Sequence, residues 1–227
     1  MDVGIACFVK TPGLSPVKTR LAKSVGKEIA EALYLQSVDA IEETLSLAQT
    51  TLPALTAYWA VAERQASTEP LWSRLPRILQ QGDGLGSRLH FIYSSLLARH
   101  EAAIVLGSDS PQISVEDIHS AIGALSGGAS FVLGAAKDGG FYLMGGKGEV
   151  PQEVWESTTY SVATTGAELL GKLATIGAVT ELNVRGDLDE ASDIEAILTD
   201  LRALATPSAA QTMLSDSLAA LALKVCP

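Results

Sequence analysis

The chain of 227 residues is poor in cysteine, histidine and aromatics. Its two cysteines, Cys7 and Cys226, stand at opposite ends, without metal-ligand or redox spacing. Cys7 lies in an apolar run and reads as a buried thiol, whereas Cys226, next to last, reads as part of a loose end. The three histidines, His90, His100 and His119, fall on predicted helices without ligand spacing, and no chemistry is assigned to them. Aromatics make up only 5% of the chain and hydrophobic residues 47%, so an ample core must be built mainly from Ala, Leu, Val and Ile. No stretch approaches the roughly 20 apolar residues of a membrane span. No basic segment precedes the short apolar run from Val3, so no signal peptide is expected. These absences lead us to expect a soluble, reduced, cytoplasmic protein. Positive charge is also scarce. A net charge of −10 and an isoelectric point near 4.7 argue against a nucleic-acid partner, whose phosphates would meet a repulsive average field.

Against that background one segment is an exception. Between Val3 and Lys27 there are five basic residues and no acidic one. An apolar strand, Val3–Val9, feeds a Pro/Gly/Ser loop that carries Lys10, Lys18 and Arg20. A local positive concentration on an acidic protein suits a small anion, such as the phosphates of a nucleotide, held where the first strand ends. A solvated basic surface loop is the plainer alternative.

Apolar runs and helical periods alternate along the chain. The spacing predicts strands at Val3–Val9, Thr56–Ala62, Arg77–Gln81, Ala102–Leu106, Ser130–Ala136, Phe141–Met144 and Val179–Val184. It predicts helices over 24–48, around Leu89–Leu97, from Ser114 to Leu125, over Val162–Leu173 and Asp189–Leu204, and in the tail from Ser208. In the first helix Ile29, Leu33, Ile41 and Leu45 share a face with Ala30, Tyr34 and Val38. Ser114 and Asp117 have the spacing of a capping box, with Ile113 and Ile118 as its staple. Such alternation defines an α/β fold: a mainly parallel central sheet with helices on both faces. Ligands of such sheets bind beyond the carboxyl ends of the strands.

Three loops there carry candidate chemistry. In Lys10–Arg20, Lys serves as a point charge, Arg as a bidentate fork, and the backbone N–H groups near Gly13 as further donors. The loop is neither a Walker A sequence nor Gly-x-Gly-x-x-Gly. In Gly107–Pro111, Asp109 follows an apolar strand, where its carboxylate can hold a divalent cation against a diphosphate. A turn-capping Asp is the alternative, but Ser114 already caps the next helix. In Asp138-Gly139-Gly140, two glycines permit close backbone approach to a ligand, and Asp-Gly is equally a hairpin signal. A further glycine-rich stretch, Gln81–Arg88, faces a nucleotide base or ribose through Arg88, or is a flexible entry to a helix. The acidic cluster Asp187–Asp193 supplies either a second metal ligand or helix N-terminal carboxylates. Glu190 and Asp193 fit the second use, and Asp187 and Asp189 stay open.

Taken in order, these segments resemble the bacterial DUF2064 family, within the nucleotide-diphospho-sugar transferase superfamily of GT-A type. The resemblance rests on Phe8–Pro12 with Val17–Ala22, Gln81-Gly82 with Leu85–Arg88, Gly107–Pro111, Val132–Gly134 with Asp138–Leu143, and Asp187–Asp189 with Asp193. It spans roughly residues 3–198. It implies a three-layer Rossmann-like GT-A domain over 1–205; the helical tail over 206–227, read from its spacing, falls outside the resemblance. It also implies a nucleotide-linked substrate and a divalent metal, Mg²⁺ or Mn²⁺, at Asp109. Two positions depart from the family pattern: Ser15 stands where the family has Gly, and Gly84 runs directly into Leu85.

The expected function is therefore a metal-dependent glycosyltransferase-like enzyme using a nucleotide-diphospho-sugar donor and a small-molecule acceptor. The expected nucleotide and phosphate contacts are Lys10, Pro12, Lys18, Arg20, Gln81, Gly82, Arg88, Ser108, Gly139 and Gly140. Asp109 would hold the metal, and Asp138 would position the acceptor or act as general base. A nucleotidyltransferase joining an NTP to a phosphorylated acceptor, and a silent nucleotide-binding protein on the same fold, are the alternatives. The amphipathic tail leaves a homodimer open.

Overall fold

The computed structural model describes residues 1–225, and Cys226 lies outside them. Seven strands form one sheet: β1 (Val3–Val9), β2 (Leu55–Val61), β3 (Arg77–Leu79), β4 (Ala102–Leu106), β5 (Phe131–Ala135), β6 (Phe141–Gly146) and β7 (Val179–Glu181). Their order is β3-β2-β1-β4-β6-β5-β7. β1 pairs in parallel with β2 and β4, β2 with β3, and β5 with β7. Only β6 runs against its neighbours, β4 and β5. The reversal follows from the short turn after β5, which leaves no room for a crossover helix and forces a hairpin.

The helices are α1 (Thr19–Val25), α2 (Lys27–Thr51), α3 (Leu85–Leu97), α4 (Val115–Ser126), α5 (Gln152–Glu156), α6 (Thr165–Ala174), α7 (Ile194–Arg202) and α8 (Ala209–Val225). Both faces of the sheet are covered, so its central strands carry continuous apolar runs. Odd residues of β1 (Val3, Ile5, Cys7, Val9) pack with Tyr34, Val38, Ile41 and Leu45 of α2 and with Ile118 and Leu125 of α4. The even residue Ala6 faces the other side, with Ile92, Tyr93 and Leu96 of α3, Trp155 of α5 and Leu169 of α6. This is the period-two alternation of a strand dividing two cores. A third cluster joins Ala30, Leu33 and Ala40 of α2 to Leu198 and Leu201 of α7 and Leu214, Leu218 and Leu221 of α8. The tail helix is therefore docked on the body. Among the described residues no helix is long and apolar enough to cross a membrane.

Several expectations shift. The helix expected over 24–48 is two helices, broken at Gly26, whose φ of 88° and ψ of 155° a side-chain-bearing residue rarely adopts. Ile29 leaves the buried face of that helix and is 45% exposed, because α2 turns its Ala30 and Leu33 toward the third cluster instead. His100 sits in the turn after α3 rather than on a helix, with Nδ1 3.0 Å from Asp2 and Nε2 3.0 Å from the Tyr58 hydroxyl. β7 is shorter than expected, and its direction continues only as a single bridge between Ala136 and Arg185. The 3₁₀ turns Arg64–Thr68 and Pro70–Trp72 and the short α5 have too few residues to show a period.

Candidate functional site

The loops beyond the carboxyl ends of β1 and β4 enclose a cleft of about 1050 Å³. Lys10, Lys18, Arg20, Arg88, Ser108, Asp109, Asp138 and Gly140 line it, together with Asp187 and Asp189. Pro12, Gln81, Gly82 and Gly139 do not. Pro12 lies inside the turn closed by the Leu14 N–H on the Thr11 carbonyl, 3.0 Å apart. Gln81 and Gly82 are exposed on the approach to α3. Gly139 supports the rim from behind. A Cβ at Gly139, whose φ is 89°, would fall 1.9 Å from the Ala163 carbonyl oxygen. Its own carbonyl accepts the Gly166 N–H at 2.8 Å.

The first loop is anchored by buried polar groups. The Tyr34 hydroxyl accepts the Lys10 N–H at 2.8 Å and donates to the Lys10 carbonyl at 2.9 Å. The Thr11 N–H donates to Glu63 at 3.0 Å, and the Trp72 indole N–H donates to the Thr11 hydroxyl at 3.0 Å. Fixed at this end, the loop turns into α1 through Lys18, at φ 45° and ψ 42°. Lys18 and Ser161 are the only two non-glycine residues with positive φ among the described residues, and both line the cleft. Backbone of this kind costs about 1–3 kcal/mol and persists where a site requires it.

The Lys18 side chain is 2% exposed, and its ammonium contacts Asp109 and, at 3.1 Å, Asp189. Burial alone would lower its pKa; the two carboxylates more than offset this and hold it above its ordinary value. Arg20 joins the same network, 2.5 Å from Asp189 and 3.2 Å from Glu190. Asp109, which a turn cap did not account for, thus has a partner 91 residues away in sequence.

Opposite Lys18, the segment 183–189 is fastened to the end of β4. The Leu188 N–H donates to the Asp109 carbonyl at 2.8 Å, and the Gln112 amide donates to the Gly186 carbonyl at 2.7 Å. The Ser110 hydroxyl donates to Asp187 at 2.5 Å. Arg185 is held by the capping carboxylate Asp117 at 2.5 Å, so one side chain serves both the α4 cap and this segment. Burial pushes the Asp187 carboxyl up to about 7, and the charges of Asp109, Asp138 and Asp189 add to the shift. Asp138 forms an Asx turn, its carboxylate accepting the Gly140 N–H at 2.8 Å, and so takes part in the β5–β6 hairpin while lining the cleft. The cleft lining also includes the apolar side chains of Phe8, Leu85, Phe141 and Val162 and the ring of Tyr160.

Four cationic side chains (Lys10, Lys18, Arg20, Arg88) therefore face five carboxylates (Asp83, Asp109, Asp138, Asp187, Asp189) in one cleft. The donor set, all carboxylate and hydroxyl oxygen, fits a hard divalent cation in kind. Among the described residues, no group of three or more His, Cys, Asp or Glu side chains is arranged to hold an ion. The Lys18 ammonium stands between Asp109 and Asp189 instead.

Sequence reasoning left Asp187 and Asp189 undecided. It did not signal Tyr160–Ala163, which enters the cleft through the packing of Gly139 and Gly166. No local pattern marks that loop, but the unusual Gly139-Gly140 pair was a trace of it.

The fold is a three-layer, Rossmann-like α/β arrangement shared with several solved structures. A protein from Desulfovibrio desulfuricans G20, provisionally named a nucleotide-diphospho-sugar transferase, is 22% identical. It superposes with a TM-score of 0.85 over 99% of this chain and 98% of its own. The 4-diphosphocytidyl-2C-methyl-D-erythritol synthase of Anaerococcus prevotii DSM 20548 is 10% identical, with a TM-score of 0.54 over 88% of this chain and 96% of its own. The bifunctional IspDF of Campylobacter jejuni is 11% identical, with a TM-score of 0.55 over 86% of this chain and 54% of its own. At these identities the likeness is one of fold. The chain belongs to the DUF2064 family, described as uncharacterized proteins conserved in bacteria, whose pattern matches residues 44–162. That match contains Gln81–Arg88, Gly107–Pro111 and Asp138–Leu143, but neither Lys10–Arg20 nor Asp187–Asp193. No curated protein matches the chain.

Proposed function

We propose that the cleft binds the diphosphate of a nucleotide-linked donor and that the protein is a metal-dependent transferase, with a nucleotide-diphospho-sugar as donor. The observation that carries this reading is the meeting of Lys10, Lys18, Arg20 and Arg88 with Asp109, Asp138, Asp187 and Asp189 at the carboxyl ends of β1 and β4. Lys18 and Arg20 are both neutralised by carboxylates, so they cannot by themselves compensate a polyphosphate. A divalent cation would supply the missing positive charge, and Asp109 is the residue that would hold it. Bound there, Mg²⁺ or Mn²⁺ stabilises negative charge on the departing phosphate.

The remaining roles belong to this chain. Lys10 and Arg88 would orient phosphate and nucleoside, and Lys18 would turn toward the diphosphate if a cation took its place beside Asp109. Ser108 and Gly140 line the cleft beside Asp109 and Asp138, and the Phe8, Phe141 and Tyr160 rings in the same lining would limit water at the reacting centre. Asp138 reaches the cleft with one carboxylate oxygen free of the Asx turn, as acceptor positioning or base chemistry requires. A reduced, cytoplasmic setting accords with the buried free thiol of Cys7.

A thermal-shift screen of nucleoside diphosphates, triphosphates and nucleotide sugars, with and without Mn²⁺, tests the reading. A ligand at a hundred times its Kd stabilises by about 2.7 kcal/mol. The expected result is stabilisation by at least one nucleotide that requires the metal. No response to any nucleotide, with or without metal, contradicts it. Release of nucleoside diphosphate from a nucleotide sugar marks glycosyl transfer, whereas pyrophosphate from an NTP marks nucleotidyl transfer.

A further inference from the structure

A second, smaller cavity of about 300 Å³ opens beside the first and shares Arg20, Asp138, Asp187 and Asp189 with it. Its volume is at the small end of the range for ligand sites. Its apolar floor comes from Ile197 and the exposed Ala196 of α7. Gly186 allows that floor to close up: a Cβ there would meet the Ile197 Cδ1 at 3.2 Å and the Lys137 side chain at 3.7 Å.

The charges in this cavity are unequal. Two cations, Arg20 and Lys137, face five carboxylates. Both cations are engaged: Arg20 lies 2.5 Å from Asp189 and 3.2 Å from Glu190, and Lys137 lies 3.7 Å from Asp200. Asp193 is also occupied, accepting the backbone N–H groups of Asp189 and Glu190 at 2.9 and 2.7 Å. Asp138 and Asp187 remain without a cationic partner among the described residues, and both stand where the two cavities join.

We infer that the second cavity is the acceptor subsite, and that the acceptor is a hydroxylated small molecule of monosaccharide size carrying no phosphate or carboxylate. The inference rests on the nucleotide reading of the larger cleft. A phosphorylated acceptor would enter a field dominated by carboxylates whose only cations are already spent, which disfavours it. A neutral polyol instead offers donor hydroxyls to Asp138 and Asp187 and an apolar ring face to Ala196 and Ile197. This selects glycosyl transfer over nucleotidyl transfer to a phosphate. The acceptor hydroxyl oxygen bonds to the anomeric carbon of the donor sugar. The bond from that carbon to the diphosphate breaks, its electron pair leaves with the nucleoside diphosphate, and the hydroxyl proton passes to the Asp138 carboxylate.

The test uses the full chain with isotope-labelled Ile, Leu and Val methyl groups. Methyl glucoside, its 2-amino analogue and glucose 6-phosphate are titrated while the Ile197 methyl signal is followed. A mixture of common nucleoside diphosphates with Mg²⁺ is titrated separately and read at Leu85 and Val162 in the larger cleft. The neutral and amino sugars should shift Ile197 with half-saturation at least ten times lower than the phosphorylated sugar. Ala196→Trp, on an exposed helix position, should abolish that response and leave the Leu85 and Val162 response unchanged; Ala196→Leu is the smaller plug if the first variant does not fold. An Ile197 signal that responds to the phosphorylated sugar as readily as to the neutral one, to none of the three, or equally after Ala196 is enlarged overturns the inference. Silence of Leu85 and Val162 toward nucleotides would instead remove the reading on which it rests.

Discussion

Gly139 and Lys18 both turn the rim of the cleft with backbone in the left-handed region, and for opposite reasons. At Gly139 the requirement is steric: any side chain would run into the Ala163 carbonyl, and the turn packs the 160–166 segment against the hairpin. Packing accounts for the residue completely. At Lys18 a side chain is present despite φ of 45°, and its ammonium is buried between carboxylates that solvent would otherwise satisfy. Nothing in the apolar core calls for a charge there, and Glu63, Tyr34 and Trp72 hold the loop in place upstream. The contrast separates conformational cost that the fold needs from conformational cost that only the cleft explains.

Substitutions can break or sharpen that contrast. The largest effect is expected at Gly139. Gly139→Ala combines an unfavourable φ with a backbone clash and should cost about 3 kcal/mol or more, or prevent folding, as read by denaturant unfolding. A near-neutral result would mean that the 160–166 segment is not packed as described.

A smaller effect, and one that depends on pH, belongs to Asp187. Its folded pKa of about 7 lies above the unfolded value of 3.8, so the native state binds this proton more tightly. The stability it contributes is complete below the unfolded value and drains away as pH rises through 7. In metal-free buffer, Asp187→Asn should flatten the pH profile of stability between about pH 5 and 8 by on the order of 2 kcal/mol, leaving the variant the more stable form at high pH. Parallel profiles for both proteins would show that the Asp187 carboxyl is not buried as described.

The smallest effect compares two replacements at Lys18. If the left-handed backbone is strained, Lys18→Gly should be more stable than Lys18→Ala by about 1 kcal/mol, although both lose the ion pairs. Equal stabilities, measured by chemical denaturation, would mean that the loop relaxes and that Lys18 carries no strain.

Legibility in the sequence followed range. β1 and β4 were placed to the residue, because strands buried on both faces are uninterrupted apolar runs. The Ser114–Asp117 cap was equally plain, since both partners lie within one turn. The break at Gly26 was not, because the apolar period of α2 continues on either side of it. In the cleft, the strand-end rule directed attention to the loops where Lys10, Lys18, Asp109 and Asp138 lie together. What it could not show was that Lys18 would be spent on Asp109 and Asp189, partners 91 and 171 residues away. Nor did it show that Pro12, Gln81, Gly82 and Gly139 would stand outside the lining, since a loop's sequence does not say which of its residues face inward. The second cavity depends on α7 lying beside the hairpin turn, a tertiary placement with no local signature.

The central claim is that the carboxylate of Asp109 and the cations around it jointly hold a nucleotide through a divalent ion. Calorimetric titration of the wild-type chain and of Asp109→Asn, each with nucleotide in the presence of Mn²⁺ and then of EDTA, tests it most directly. The account predicts binding to the wild type that EDTA abolishes, and at least a tenfold loss of affinity, about 1.4 kcal/mol, in a variant that melts within a few degrees of the wild type. Equal affinity of the two proteins, or wild-type binding indifferent to the metal, would contradict it.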